Sequence, residues 1–218
     1  VFDIDASINN SEPDYELIRI LARECRMPLA YGGGVKTSEQ ASRLIQLGVE
    51  KVCLSSAVIE SPNLITQIAN EVGSQSVVVV LDVKKRRFSK KYEIVTHNAT
   101  KGTGMCPIEF AKKAESLGAG EIVINSVDRD GTFEGFDVQL SVSIRSVINI
   151  PMTILGGAGQ LSHSEELVNN LGIVGLAAGS FFVFKGSYKA VLISYLPEPD
   201  KIKLASLASD FYNSKVSV

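Results

Sequence analysis

Two groups of glycine and serine residues in this 218-residue chain have the types and spacing that bind phosphate. Gly34 is followed further along the chain by Ser55 and Ser56, and Gly157 is followed by Gly179 and Ser180. Glycine lets a backbone N–H approach a phosphate closely, and serine adds a hydroxyl donor. A single glycine turn can be only a tight connection between a strand and a helix. Two groups at matching positions instead predict two phosphate sites, and hence a substrate with a phosphate at each end.

Carboxylates form the second candidate chemistry. Asp82 follows the apolar run Val77–Leu81, and Asp130 lies beside Gly131 in an Asp-Arg-Asp-Gly-Thr sequence. A carboxylate at the end of a buried strand is a candidate general acid or base, since its surroundings can tune it for proton transfer. Asp82 could instead cap a turn or pair with Lys84, and Asp130 could bind substrate or cap its own turn. We predict Asp82 and Asp130 as the catalytic residues.

A basic segment, Lys84–Lys101, follows the first of these carboxylates. Its cationic residues are Lys84, Lys85, Arg86, Arg87, Lys90, Lys91 and Lys101. We predict a long active-site loop with a small hairpin over Tyr92–Thr96, acting as a mobile lid that attracts an anionic substrate. A solvated run of charge is the alternative. His97 and His163 have no His or Cys partners at metal-ligand spacing, so no metal site is predicted.

Short apolar strands alternate with amphipathic helices along the chain and must position these groups. The predicted strands are Val1–Ile4, Pro28–Tyr31, Lys51–Leu54, Ser76–Leu81, Gly120–Asn125, Pro151–Leu155 and Val174–Ala178. They are apolar on both faces, which is typical of buried parallel strands. The predicted helices are Glu16–Arg26, Ser38–Leu47, Leu64–Val72, Pro107–Leu117, Val138–Val147 and Ser164–Leu171, with Thr37, Ser61 and Ser162 as N-caps. This alternation predicts a parallel α/β fold.

An internal repeat decides between an open sheet and a closed barrel. Residues recur at offsets of 123 to 124, among them Gly33, Gly34, Asp14 and Leu17, which recur as Gly156, Gly157, Asp137 and Leu140. Two equivalent halves of four βα units predict a (βα)₈ TIM barrel, whose reactive residues lie at the carboxyl ends of the strands. The strand before Asp82 has no counterpart, so we expect the first βα unit, about 45 residues, to be missing from this chain. We expect a barrel domain over 1–196 and a C-terminal tail over 197–218.

Composition excludes several classes of protein. Twenty-two Lys and Arg residues against 24 Asp and Glu residues give a net charge of −2, which argues against nucleic-acid binding through a basic surface. No apolar run approaches the roughly 20 residues that span a bilayer. Cys25, Cys53 and Cys106 form no C-x-x-C pair, which is typical of a reduced, cytoplasmic protein. We therefore expect no cofactor, no nucleic-acid partner and no membrane association.

Several stretches resemble the HisF-type cyclase subunit of imidazole glycerol phosphate synthase. Over residues 1–184 they include VFDIDAS, PLAYGGGVKT, GSQSVVVVLDVKKR, GAGEIVINSVDRDGTFEGFD and ILGGAG. The resemblance implies a lyase of histidine biosynthesis that uses two aspartates on a bisphosphorylated ribulosyl-aminoimidazole and forms imidazole glycerol phosphate and AICAR. It also implies a heterodimer with a glutaminase subunit, docked at the N-terminal barrel face, whose ammonia passes through the barrel interior.

The resemblance also assigns residues. Asp82 becomes the acid–base residue, and one phosphate binds Gly34, Ser55 and Ser56. The other phosphate site is lined by Asp130, Gly131, Gly157, Gly179 and Ser180. Lys51 and Glu121 match the charged ring at the ammonia entrance, and Glu50 and Gln75 match the glutaminase-facing surface.

Three departures from the family pattern keep other functions open. Ser55 stands where the family has Asn, Leu155 where it has Ser, and Val183 where it has His. These changes resemble a paralogous branch of surface-polysaccharide gene clusters, thought to pass ammonia to a separate sugar amidotransferase. A non-cyclising ammonia conduit serving a nucleotide-sugar amidotransferase is therefore the alternative to the cyclase. The histidine-pathway isomerase, which shares the DRDGT and double-glycine turns, is a third hypothesis.

Overall fold

The chain divides into two compact units, Val1–Val123 and Ile124–Val218. The computed structural model describes residues 1–86, 89, 91–186 and 189–216. In both units short parallel strands alternate with helices. This is the α/β, TIM-barrel type of fold that the sequence predicted. Within the described residues, the helices include none that is both long and apolar enough to cross a membrane.

Parallel strands form the centre of unit 1. They are β1 (Ala30–Gly32), β2 (Lys51–Leu54) and β3 (Val77–Lys85), with Gly32 opposite Cys53 and Cys53 opposite Val78. An antiparallel extension follows, made of β4 (Tyr92–Thr96) and β5 (Lys101–Gly102). β6 (Glu121–Ser126) is the next neighbour of β3 and crosses the unit boundary. The first seven residues of β3 are buried except Asp82, which accounts for the continuous apolar run in the sequence.

The helices of unit 1 begin where short polar side chains or proline start them. They are α1 (Ala6–Asn9), α2 (Tyr15–Glu24), α3 (Ser38–Gln46), α4 (Ser56–Glu60), α5 (Asn63–Val72) and α6 (Pro107–Ser116), with a 3-10 helix at Ser74–Ser76. The predicted cap Thr37 is confirmed, since its hydroxyl accepts from the Gln40 N–H at 3.2 Å. The predicted cap Ser61 is wrong, because α5 starts after Pro62, whose φ of −59° already suits a helix.

Unit 2 repeats the strand–helix alternation and ends in a long helix. Its elements are α7 (Val138–Arg145), β7 (Met152–Leu155), α8 (Leu161–Leu171), β8 (Gly175–Leu176), α9 (Ser180–Val183), β9 (Phe184–Lys185), β10 (Ala190–Val191) and α10 (Glu198–Val216). β7 and β8 are parallel, and β9 and β10 form an antiparallel pair. The Lys203 Nζ lies 2.6 Å from the Glu165 Oε1 and joins α10 to α8. The predicted cap Ser162 is wrong, because α8 starts at Leu161 and places Ser162 within its first turn.

The start of the chain differs from the prediction. The expected strand Val1–Ile4 is reduced to an isolated parallel bridge between Phe2 and Gly32. The Asp3 carboxylate accepts from the N–H groups of Asp5 (3.1 Å) and Ala6 (3.0 Å), and these bonds turn the chain into α1. Short polar side chains compete with strand pairing in this way. The last predicted strand, Val174–Ala178, is shortened to β8.

The predicted repeat has a counterpart in matching helix caps. In unit 1 the Asp14 carboxylate accepts from the Leu17 N–H at 3.0 Å at the start of α2. In unit 2 the Asp137 carboxylate accepts from the Leu140 N–H at 3.0 Å at the start of α7. The two pairs share an offset of 123, so this part of the repeat reflects a shared way of starting a helix.

Candidate functional site

The first glycine and serine group lies at the carboxyl edge of β1 and β2. Because these strands are parallel and Gly32 is opposite Cys53, the segments that leave them begin side by side. Gly34 has a φ of +72°, and Ser55 precedes α4 as its N-cap residue. The hydroxyls of Ser55 and Ser56 bond to no other described residue. The structure thus brings Gly34, Ser55 and Ser56 to one strand edge, with two hydroxyls able to donate to an anion.

The second group lies at the equivalent edge of unit 2. β7 and β8 are parallel, and the Ala177 N–H extends their pairing by donating to the Ile154 carbonyl at 2.9 Å. Gly157 and Gly179 follow these strands. A side chain on Gly131 would lie 3.8 Å from the Ser180 Oγ, which places Gly131 and Ser180 next to each other. The backbone at Gly179 is exposed, and a Cβ there would touch nothing within 4 Å.

Each double-glycine turn is packed against a preceding loop of its own unit. A Cβ on Gly33 would lie 2.6 Å from the Asp3 carbonyl oxygen, and one on Gly156 would lie 2.6 Å from the Ser126 carbonyl oxygen. All four Gly33, Gly34, Gly156 and Gly157 have positive φ angles, which glycine adopts without strain. A side chain at Gly33 or Gly156 would therefore clash with the neighbouring backbone.

The next glycine of each turn makes the same kind of contact. A Cβ on Gly34 would lie 2.5 Å from the Ser11 carbonyl oxygen, and one on Gly157 would come still closer to the Gly135 carbonyl oxygen. Ser11 and Gly135 are 124 residues apart, within one residue of the 123-residue offset between Gly34 and Gly157. Sequence reasoning missed both residues, because a contact through a backbone oxygen leaves no mark on the side-chain type.

Asp82 lies inside a strand and not at its end. β3 pairs with β2 as far as the Leu54–Val79 match and then pairs with β4, where Asp82 is opposite Val95. The predicted strand end at Leu81 is therefore wrong, because the hairpin takes over the hydrogen bonding where the parallel pairing stops. If the β2–β3 register continues, Ser55 is level with Val80, and Asp82 lies about 7 Å further along. Asp82 is half-buried.

Asp130 is exposed on a firmly held turn in unit 2. The N–H groups of Arg129 and Asp130 both donate to the Ser126 carbonyl at 3.0 Å. The Thr132 hydroxyl donates to the Arg129 carbonyl at 2.8 Å, and Gly131 between them has a φ of +70°. These bonds account for the DRDGT sequence as a turn. Asp82 belongs to unit 1 and Asp130 to unit 2.

The basic segment is partly ordered by its own contacts. The predicted hairpin over Tyr92–Thr96 is confirmed, and Lys84 and Lys85 continue β3 into it. The Arg86 Nη2 donates to the Gly104 carbonyl at 2.9 Å, and its Nε lies 3.6 Å from the Glu93 carboxylate. Of the other predicted cations, Arg87 and Lys90 lie outside the described residues, while Lys84, Lys85, Lys91 and Lys101 are exposed.

The opposite edge of unit 1 carries an ion pair. The Lys51 Nζ lies 2.5 Å from the Glu121 Oε2, at the amino ends of β2 and β6. Further along β2, burial raises the pKa of the Cys53 thiol to about 12. Glu50 precedes β2 and Gln75 precedes β3, and both are exposed at this edge. The structure thus brings together the predicted ammonia entrance and the predicted partner surface, away from Gly34, Ser55 and Asp82.

Metal binding finds no support among these groups. In the part of the chain that the structure describes, no three His, Cys, Asp or Glu side chains are close enough together to hold a metal ion. His97 contacts its neighbour Thr96, with 3.1 Å between the Nδ1 and the Oγ1. His163 lies in the first turn of α8, with its Nε2 3.1 Å from the Gln160 side chain.

Comparison with known proteins shows which family this chain belongs to. Residues 1–189 match the family described as "Histidine biosynthesis protein". The chain belongs to this family. A "Putative imidazole glycerol phosphate synthase subunit HisF" of Leptospira interrogans is 53% identical over 201 residues, which are 92% of this chain and 79% of that protein. The similarity of this HisF-type chain to that subunit therefore extends over most of its length.

Two further relatives show how the HisF-type chain compares with differently named subunits. The "Putative imidazole glycerol phosphate synthase subunit hisF3" of Vibrio vulnificus is 54% identical over 94% of this chain and 78% of that protein. The "Imidazole glycerol phosphate synthase subunit HisF" of Thermobifida fusca is 39% identical over 84% of this chain and 72% of that protein. The HisF-type chain is thus more similar to the numbered hisF3 protein than to this unnumbered one.

Proposed function

We propose that this HisF-type chain is the cyclase subunit of imidazole glycerol phosphate synthase and closes the imidazole ring with ammonia from a glutaminase subunit. The observation that carries the proposal is the arrangement of unit 1. Gly34 and Ser55 follow β1 and β2 at their carboxyl ends, Asp82 lies in the second half of β3, and the Lys51–Glu121 pair lies at the amino ends of β2 and β6. Membership of the histidine biosynthesis family and the similarity to subunits named HisF also support the proposal.

The substrate is a bisphosphorylated ribulosyl-aminoimidazole. One phosphate binds the backbone of Gly34 with the hydroxyls of Ser55 and Ser56. The other binds the backbone of Gly157 and the neighbouring group at the carboxyl edge of unit 2, formed by Gly131, Gly179 and Ser180. Both sites use neutral N–H and O–H donors, so several must converge, since each helix end supplies only about 0.3–1 kcal/mol.

Asp82 and Asp130 carry out the proton transfers. When ammonia attacks a carbonyl carbon, a base must accept a proton from nitrogen and an acid must protonate the departing oxygen. Asp82 is half-buried between the apolar Leu81 and Val83, and its pairing opposite Val95 of β4 fixes the backbone there. The hydrogen bonds of its turn fix the backbone of Asp130, and its side chain is exposed to substrate.

Ammonia enters at the amino edge of the strands. The glutaminase subunit docks on the surface that includes Glu50 and Gln75, and Lys51 with Glu121 forms the entrance. The ion pair supports this assignment because it closes the amino edge between β2 and β6 with two polar groups. Ammonia, which is small and polar, can replace one partner in the hydrogen bond while it passes.

Product formation tests the cyclase proposal. The full chain is supplied with the bisphosphorylated substrate and an ammonium salt, and imidazole glycerol phosphate is measured. Asp82→Asn should lower kcat by 100-fold or more, because general acid–base catalysis is worth about 10²–10⁴. Glu109→Gln, an exposed change on α6, is the matched control and should leave kcat unchanged. Absence of product from the wild-type chain would overturn the proposal.

An ammonia conduit for a nucleotide-sugar amidotransferase is the second candidate. Two kinds of observation favour it: the apolar Leu155 at the carboxyl end of β7 with Val183 at the end of α9, and the presence of the Lys51–Glu121 pair. A conduit should stimulate the glutaminase without closing a ring. The assay therefore measures glutamine hydrolysis and imidazole formation in the same mixture. Hydrolysis without imidazole would support the conduit, and stoichiometric imidazole would exclude it.

A further inference from the structure

We infer that Arg129 is a positioning residue that holds the Gly157 turn ready for phosphate. The inference rests on the proposed phosphate site and adds a residue to it. Arg129 is half-buried in unit 2, and its Nη1 donates to the Gly135 carbonyl at 2.9 Å. The Gly135 N–H in turn donates to the Gly157 carbonyl at 2.8 Å. A chain of two hydrogen bonds therefore runs from the guanidinium to the peptide of Gly157.

Close packing makes this chain of hydrogen bonds rigid. Gly157 is buried, and a Cβ there would lie 3.2 Å from the Arg129 Cβ and closer still to the Gly135 carbonyl. A charged donor makes the first bond strong, and the second bond ties the same residue, Gly135, to the Gly157 turn. We therefore expect loss of the Arg129 guanidinium to loosen Gly135, and with it the backbone position of the Gly157 turn.

Arg129 also anchors the turn that carries Asp130. Its N–H donates to the Ser126 carbonyl at 3.0 Å, and its carbonyl accepts from both the N–H and the hydroxyl of Thr132. The backbone of Arg129 thus shapes the Asp130 turn, while its side chain holds the Gly157 turn. One residue fixes the distance between a proposed acid–base group and a proposed phosphate donor.

The matching loop of unit 1 lacks this device. Ser11 takes the place of Gly135 there, and its carbonyl accepts no side-chain donor from the described part of the chain. The loop is tied elsewhere, by the Lys36 Nζ that donates to the Asn10 side chain at 2.5 Å. The guanidinium contact is therefore an addition to the second phosphate site and not a general requirement of the repeated turn.

Two matched arginine variants test the inference. In Arg129→Met the stem remains and the donors are lost. Arg145→Met is the control, since the Arg145 Nη1 also donates to a backbone carbonyl of unit 2, that of Ile150 at 3.0 Å, before β7 begins. The probe is inorganic phosphate, followed through the amide signals of Gly157 and Gly179 in the full chain, and KM and kcat are measured with the bisphosphorylated substrate.

Arg129→Met should weaken phosphate binding about tenfold and raise KM by a similar factor, with a smaller change in kcat, since a charge-assisted hydrogen bond is lost. Arg129→Lys should recover part of the affinity, because an ammonium can make one such bond. Arg145→Met should lower the unfolding temperature and leave phosphate binding unchanged. Equal phosphate affinity in wild type and Arg129→Met, or equal losses in both arginine variants, would overturn the inference. Arg129-dependent phosphate binding by a chain that forms no imidazole product would support it and contradict the cyclase alone.

Discussion

The Lys51 ammonium and the Glu121 carboxylate lie 2.5 Å apart at the amino ends of β2 and β6, the two strands on either side of β3. Their exposures differ, because 43% of the Lys51 side chain but only 14% of the Glu121 side chain is accessible. A largely buried carboxylate needs a cation close by, whereas a partly exposed ammonium can return to water. Glu121 therefore depends on the ion pair more than Lys51 does.

Removing the cation should cost more than removing the anion. Lys51→Met should lower the free energy of unfolding by about 1–2 kcal/mol, because Glu121 is left without its cation in a largely buried place. Glu121→Gln should cost less, since the amide can still accept from Lys51. Urea unfolding measures both, with the exposed Lys113→Met on α6 as the control. A larger loss for Glu121→Gln would contradict this asymmetry.

Stability should fall in alkali through two buried acids. Burial, with smaller effects of the Asp3 and Asp14 charges, raises the pKa of Tyr31 to about 12 from an ordinary 10.0, and burial raises that of Cys53 to about 12 from 9.0. Both groups hold their protons more tightly in the folded chain. Their contribution is therefore complete below about pH 9 and is lost as the pH rises towards 12.

The measurement is the free energy of unfolding by urea between pH 8 and pH 11. The wild-type chain should lose stability across this range, and the double variant Tyr31→Phe/Cys53→Ala should lose less of it. The quantity compared is the slope of the unfolding free energy against pH. The stability lost to the cavity at position 53 does not depend on pH and therefore does not change this slope. Parallel slopes in the two proteins would show that these groups do not set the alkaline limit.

The two aspartate caps should differ in strength although their bonds have the same length. Asp14 is exposed and Asp137 is 7% exposed, and each accepts from a backbone N–H at 3.0 Å. Replacement of a cap by alanine costs about 1 kcal/mol, and more where the freed N–H is buried. Asp137→Ala should therefore cost about 2 kcal/mol and Asp14→Ala about 1 kcal/mol or less. Thermal unfolding of both variants measures these costs. A larger loss of stability in Asp14→Ala than in Asp137→Ala would refute the prediction.

Alanine at one of the two proposed phosphate glycines should disrupt folding, whereas alanine at the other should leave stability unchanged. Gly157 has a φ of +101° and no room for a Cβ, whereas Gly179 has a φ of −100° and open space around it. Gly157→Ala should lose several kcal/mol of stability or fail to fold. Gly179→Ala should fold as stably as the wild type, within about 0.5 kcal/mol.

Phosphate binding completes the comparison of the two glycines. A methyl group at position 179 would project into the space that a bound anion needs, so Gly179→Ala should weaken the binding of inorganic phosphate while the chain stays folded. Isothermal titration measures this effect. Unchanged phosphate affinity in a folded Gly179→Ala chain would remove Gly179 from the site.

The sequence predicted the features that depend on side-chain type. Strand runs such as Val77–Leu81 and the helix caps Thr37 and Asp14 follow from apolar patterning and hydrogen-bonding side chains. The repeat also placed Gly34 and Gly157 at equivalent points of the two units. Each of these features has a local chemical cause that the residue letters record.

Features that depend on backbone hydrogen bonds were missed. Asp82 was placed at a strand end, but the hairpin extends β3 to Lys85, and only the pairing partner decides where a strand stops. Val1–Ile4 is apolar enough for a strand, but the Asp3 side chain turns the chain first. The contacts of Ser11 and Gly135 run through carbonyl oxygens, which every residue type carries.

The packing of the double-glycine turns bears on how the chain acquires its sites. Each turn contacts segments that precede it by 22 to 30 residues, so the contact is local and forms quickly. The double-glycine turn of unit 1 could thus reach its packed conformation while later strands are still being synthesised. If the proposed phosphate sites bind as expected, free phosphate or the substrate would then stabilise the growing chain by mass action.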